Sequence, residues 1–293
     1  MNPLNDPHPM IELNNLTYAY FKGRNVLAGL TTSIGSGIHL LLGENGAGKT
    51  TLLHIIAGLL IPGKPDECTV NGEIPGKRLP SLMQEIFFVS DNMTFPFKTI
   101  ADMVHLHAPY YPNFDPEMLR QNLTTFGISE TAPIDSFSLG NRKKAILAYA
   151  FSLRTSVLLL DEPANGLDIT AKQLTLSMMS KCIDASQTVI LSTHTVADFM
   201  PLFDSVMLLS AGRMVINKPV WEITDRIDFV ANSLPPENAL YLEQVLGQFR
   251  AIIPHTAGDD VTDIDYTLLY NALQNPACRH KLITLFNNAN SES

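Results

Sequence analysis

Residues 43–50 read Gly43-Glu44-Asn45-Gly46-Ala47-Gly48-Lys49-Thr50, the G-x-x-x-x-G-K-[ST] spacing of a loop that wraps a phosphate chain. Glycines suit such a loop because its N–H groups must point inward, which takes positive φ angles and close backbone approach. Asn45, Gly46, Ala47 and Gly48 would supply the cradle, with Lys49 reaching the outer phosphates, Thr50 offering a hydroxyl to Mg²⁺ and Thr51 following in the contact set. A second pair of reactive groups stands at Asp161-Glu162, directly after the apolar run Val157-Leu158-Leu159-Leu160. Asp161 would hold Mg²⁺, directly or through water, and Glu162 would polarise an attacking water. Together the two elements imply chemistry on a nucleoside triphosphate.

These groups need elements to hold them. The apolar run Ile38 to Leu42 predicts a strand ahead of the loop, and Leu52, Ile55, Ile56, Leu59 and Leu60 form the core stripe of a helix after it, whose positive end faces the loop. Val157 to Leu160 has the unbroken apolar character of a strand buried on both faces. Residues 10–92 read as antiparallel strands leading into the loop strand and helix, with turns at Asn71-Gly72 and Pro75-Gly76. Residues 94–153 are helix-rich, including Thr99 to His107 and Pro116 to Phe126, the latter with Asp115 as N-cap and Pro116 in its first turn. Strands then alternate with helices as far as Ala211-Gly212-Arg213, a hairpin turn. The fold class expected is α/β. After Asn217 the composition shifts: Pro235-Pro236 interrupts, acidic residues cluster at Asp259-Asp260 and at Asp263 and Asp265, and no catalytic motif occurs. The boundaries expected are a domain at 10–216 and a helical extension at 217–293.

Bulk properties narrow the field. The formal net charge of −9 over 293 residues argues against general nucleic-acid binding, which favours basic surfaces. Hydrophobic residues make up 45% of the chain, enough for a large core, yet no run reaches the length that spans a bilayer. The start of the chain lacks the charged and apolar regions of a signal peptide. Three cysteines, Cys68, Cys182 and Cys278, lie far apart in no metal or disulfide pattern. A cytoplasmic location is expected.

A third segment, Phe137-Ser138-Leu139-Gly140-Asn141-Arg142-Lys143-Lys144, precedes a helical pattern. It resembles the signature motif of ATP-binding-cassette (ABC) ATPases, usually Leu-Ser-Gly-Gly-Gln; Ser138 and Gly140 match, whereas Phe137, Leu139 and Asn141 depart. A serine at a helix N-terminus makes an anion site, and in the family it grips the γ-phosphate of ATP bound to the opposite subunit. The resemblance covers about residues 10–216. It implies a P-loop ABC ATPase fold with an antiparallel β subdomain and a helical subdomain at about 94–153, ATP and Mg²⁺ as cofactors, and ATP hydrolysis coupled to transport. It also implies that Asp168, in Ala164-Asn165-Gly166-Leu167-Asp168, reaches across a dimer, and that His194, in Ser192-Thr193-His194, contacts the γ-phosphate. Tyr20 aligns with the aromatic residue that stacks on adenine, with Tyr18 as the competing position. One match departs: the strand Ile86 to Val89 leads to Asp91 where the family has glutamine, and Gln84 sits seven residues too early. Asp91 could touch Mg²⁺ by its carboxylate. An acidic residue there, with Tyr110-Tyr111-Pro112-Asn113-Phe114-Asp115, resembles ABC-2 type exporters. The resemblance implies transmembrane permease subunits as partners, a homodimer, and a peripheral position on the inner face of the cell membrane, with no nucleic-acid partner. The alternative is a soluble ABC ATPase acting on a ribosome, DNA or an assembly scaffold.

Overall fold

The structure, a computed structural model, describes residues 10–21, 23–94, 96–193, 202–256 and 262–287. It opens with β1 (Ile11–Tyr18) and β2 (Leu27–Ile34), an antiparallel pair. Then come β3 (Gly37–Gly43), α1 (Lys49–Ile56), β4 (Cys68–Val70), α2 (Pro80–Met83) and β5 (Ile86–Val89). The helices α3 (Ile100–His107), α4 (Pro116–Phe126) and α5 (Leu139–Ser152) occupy the segment expected to be helical. Each starts where cap chemistry says it should. Thr99 and Asp102 form a reciprocal capping box for α3, Asp115 accepts from two N–H groups of α4, and Ser138 caps α5.

The second half continues through β6 (Val157–Asp161), α6 (Ile169–Cys182), β7 (Thr188–Ser192), β8 (Ser205–Ser210), β9 (Arg213–Pro219) and α7 (Val220–Thr224). The main sheet has the order β5-β6-β7-β3-β8-β9, parallel except for the antiparallel edge strand β9, and a small sheet β2-β1-β4 lies beside it. Because successive side chains alternate faces, the unbroken apolar runs feed two cores at once. Along β3, Leu40 and Leu42 join one core with Leu158, Leu160 and helices α3 to α6, while Leu41 joins the other with Leu159, the small sheet and α1. Each fully buried leucine contributes roughly 1.5–3 kcal/mol. The carboxyl ends of β3 and β6, where the two reactive motifs sit, open on the same edge of the sheet, the usual place for a ligand in a parallel α/β fold.

The expected helical extension needs correction. Residues after 219 include β10 (Ile227–Asn232), β11 (Tyr241–Val245) and β12 (Gln248–Pro254), a three-stranded antiparallel sheet in the order β10-β12-β11, before α8 (Tyr266–Gln274) and α9 (Pro276–Asn287). The apolar runs Phe229-Val230-Ala231 and Ala251-Ile252-Ile253 are short and pair directly, Phe229 against Ile252. A two-residue hairpin, Leu246-Gly247, joins β11 to β12 with positive φ at both positions. This module shares the larger core: Ile252, Leu268, Leu282 and Phe286 pack in the same cluster as Leu160 and Val206.

Candidate functional site

The loop 43–48 ends in Gly48, the N-cap of α1, with φ 107°. A Cβ there would stand 2.7 Å from Leu27 Cδ2 and 3.2 Å from the Val26 carbonyl, so both backbone conformation and packing demand glycine. Ala47 N–H donates to the Glu44 carbonyl at 3.0 Å, which closes the loop on itself. Lys49 Nζ donates to the Gly43 carbonyl at 2.6 Å and to the Glu44 carbonyl at 3.3 Å, folding the side chain back over the loop. Burial pulls the Lys49 pKa down, and the neighbouring Glu162 and Asp161 carboxylates act against that shift.

Thr50 Oγ1 donates to Asp161 Oδ2 at 2.6 Å, so the end of β6 and the start of α1 present two adjacent oxygen donors. Asp161 is buried. A hydroxyl and a carboxylate at this spacing match the hard-oxygen ligand preference of Mg²⁺, which is typically held by few protein groups plus substrate phosphates. The next residue, Glu162, sits at φ 50°, and its N–H donates to the Ser192 carbonyl at 2.8 Å. That bond across β6 and β7 holds the carboxylate at the strand end. Strain of this kind at a non-glycine residue marks a position set by surrounding structure.

These groups line a cleft of about 680 Å³ with Tyr20, Asn45, Gly46, Gly48, Thr51 and Asp91, a volume in the range of small-molecule and cofactor sites. Tyr20 lies at its mouth: its hydroxyl is 3.1 Å from Thr51 Oγ1, its ring is half exposed, and Tyr18 packs edge-on against it at 5.1 Å. Tyr18 is thereby a support and Tyr20 the residue that faces the cleft. Ser138 and Gly140 lie elsewhere. Ser138 Oγ accepts from Asn141 N–H at 3.2 Å, a Cβ added at Gly140 would stand 3.7 Å from the Gly166 carbonyl, and neither residue is among those that line the cleft of its own chain. Asp168 caps α6 by accepting from Ala171 N–H at 2.8 Å. His194 lies outside the described residues.

Asp91 carries partners that sequence reasoning did not supply. Its Oδ1 accepts from the buried Lys143 ammonium of α5 at 2.6 Å, and both its oxygens accept from Asn165 Nδ2 at 3.2 Å. The acidic residue thus ties the strand-end loop after β5 to α5 and to the loop before α6. A signal was present in the lysine of the segment Arg142-Lys143-Lys144, but nothing in the spacing marks which of these cations turns inward.

Comparison with known proteins bears on this geometry. The ABC transporter family model matches residues 28–165. The chain is 30% identical over 192 residues to the ABC transporter ATP-binding protein YtrB of Bacillus subtilis, covering 64% of this chain and 65% of that one. It is 27% identical to the putative ABC transporter ATP-binding protein AlbC of the same organism, covering 74% of this chain and 94% of that one. It superposes with a TM-score of 0.60 on the ATP-binding cassette MJ0796, a dimeric structure in a post-hydrolysis state bound to ADP and Pi, at 20% identity over 72% of this chain and 98% of that one. The chain spans less than two thirds of the length of the first curated relatives it matches. The phosphate loop, the strand-end carboxylates and the six-stranded sheet that joins them have the arrangement of an ABC ATPase domain, and residues 28–165 carry the match to the ABC transporter family.

Proposed function

We propose that this chain binds and hydrolyses Mg·ATP and powers a transporter through separate membrane-spanning permease subunits. One observation carries the reading: Lys49, the Thr50–Asp161 oxygen pair and Glu162 converge on one cleft at the carboxyl ends of β3 and β6. In that cleft the loop N–H groups and Lys49 bind the phosphates, while Thr50 and Asp161 would hold a Mg²⁺ ion, which would supply charge to neutralise the phosphates. Glu162 orients a water toward the γ-phosphate and takes its proton. His194 is proposed to contact the γ-phosphate, Tyr20 to stack on the adenine, and the Asp91 carboxylate to be a further group that would touch the metal.

The unit of action is proposed to be a dimer, in which Ser138 and Gly140 of one chain complete the site built on Lys49 of the other. Closure on ATP and reopening after hydrolysis supply the stroke. Two features support composite sites: the outward placement of Ser138 and Gly140 from their own cleft, and the exposed apolar residues Leu139 and Ile169 beside them. Among the described residues no helix is long and apolar enough to cross a membrane, which fits a peripheral subunit at the cytoplasmic face. Residues 10–216 are proposed as the ATPase unit and 217–293 as an appended module. Export of the ABC-2 type is the direction proposed, on the acidic residue at 91.

Lys49→Ala tests the reading. It removes the ammonium that lines the cleft opposite the triphosphate, so nucleotide affinity should collapse in equilibrium binding while the fold persists. Equal affinity in variant and parent would refute the nucleotide site.

A further inference from the structure

Glu44 is a carboxylate inside a loop built to hold an anion. It occupies the second position of the phosphate loop and lines the same cleft as Lys49, so it opposes a bound triphosphate by like-charge repulsion unless something offsets it. The offset comes from the far end of the chain. Arg279 of α9 donates through Nη1 to Glu44 Oε1 at 2.9 Å and to Ser210 Oγ, at the end of β8, at 3.0 Å.

Arg279 is held for this contact by the C-terminal module. Leu282 and Phe286, one and two turns further along α9, are fully buried in the larger core. Arg226 donates to the carbonyls of Leu285 and Phe286 at 3.3 and 2.7 Å and to Glu222 at 2.8 Å, which anchors the helix by its carboxyl end. Helix α8 flanks the same place: the Tyr270 phenol is pushed up by burial and then by the Glu44 and Glu162 carboxylates. An arginine fixed at both its helix and its head is suited to pin one carboxylate in one orientation.

We propose that Arg279 is a positioning residue that neutralises Glu44 and turns it away from the phosphates, so that the C-terminal module sets the affinity of the phosphate loop for nucleotide. The proposal rests on the nucleotide-binding reading above. It gives the module a role that none of its own residues performs by touching substrate.

The test is equilibrium binding of a fluorescent ATP analogue to the full chain carrying Arg279→Ala, Arg279→Lys, Glu44→Gln or the pair Glu44→Gln with Arg279→Ala. Arg279→Ala, which leaves Glu44 uncompensated, should weaken binding roughly tenfold, about 1.4 kcal/mol. Arg279→Lys should recover part of the loss, and the double variant should return to parental affinity because the charge that needed compensation is gone. A merely structural arginine predicts the opposite for the double variant, which would stay as weak as Arg279→Ala. Glu44→Gln decides the matter even if Arg279→Ala fails to fold, since it leaves the packing of α9 intact and frees the Arg279 charge beside the cleft: tighter binding supports the proposal, and parental or weaker binding overturns it. If Lys49→Ala abolishes binding while Arg279→Ala and Glu44→Gln both leave it unchanged, the role of Arg279 is refuted and the nucleotide site stands. If the parent chain binds no nucleotide, both fall.

Discussion

Glu162 carries the heaviest demand placed on any single side chain here. Its backbone is left-handed, a conformation that costs about 1–3 kcal/mol for a residue with a Cβ, and the Ser192 carbonyl holds it there. Glu162→Gln keeps that backbone and the side-chain volume while removing the carboxylate proposed as the base. Turnover should fall by ~10²–10⁴-fold, or about 3–5 kcal/mol of barrier, with nucleotide affinity retained and an ATP-bound dimer accumulating; steady-state hydrolysis and gel filtration with ATP check this. Turnover equal to the parent's would place the base elsewhere. Tyr20→Ala should weaken nucleotide binding by about 1–3 kcal/mol, the range for base–aromatic stacking, whereas a comparable loss from Tyr18→Ala alone would shift the adenine site by two residues. At this scale much of the site was legible. Phosphate binding and metal binding dictate residue types at fixed offsets, which is why Lys49, Thr50, Asp161 and Glu162 stand out in the bare sequence. The sequence could not say which of Tyr18 and Tyr20 faces the cleft, because the Thr51 hydroxyl comes beside the Tyr20 ring only in the fold.

Elements were legible where their ends announce themselves. Thr99, Asp115 and Ser138 each begin a helix because their side-chain oxygens satisfy otherwise orphaned N–H groups. The strands β10 to β12 were not legible, and the hairpin between β11 and β12 shows why: it places Leu246, fully exposed, at φ 50°, where turn chemistry favours asparagine or glycine. Contacts between elements were hidden altogether. Asp91 and Lys143 are 52 residues apart, and their pairing links the loop after β5 to α5. Asp91→Ala strands a buried ammonium. Full burial of an unpaired charge would cost about 3–5 kcal/mol, but Asp91 is one-third exposed, so a loss nearer 1–2 kcal/mol in urea unfolding is expected. The same variant should lower Mg²⁺-dependent turnover more than nucleotide binding, with Asp91→Gln recovering part of the activity. Unchanged Mg²⁺ dependence and turnover in both variants would leave Asp91 a structural residue only.

At the scale of the whole molecule the helix capped by Ser138 is where the proposal that two chains build one site is tested. Ser138→Arg should leave a chain able to load its own loop yet unable to hydrolyse, and mixing it with Lys49→Ala chains should restore turnover through at most one complete site per heterodimer. Normal hydrolysis by Ser138→Arg alone would rule out composite sites. The shared core has a different reach. Ile252, Tyr266, Leu282 and Phe286 belong to the same packed cluster as Leu160, Phe203 and Ile216, and Phe203 meets the Tyr266 ring edge-on at 5.4 Å. The compositional break near residue 217 is therefore no seam in the cooperative unit. A chain cut there would be a sheet with one flank stripped, its apolar side chains turned into an adhesive surface, and the appended module would melt with the ATPase sheet rather than before it.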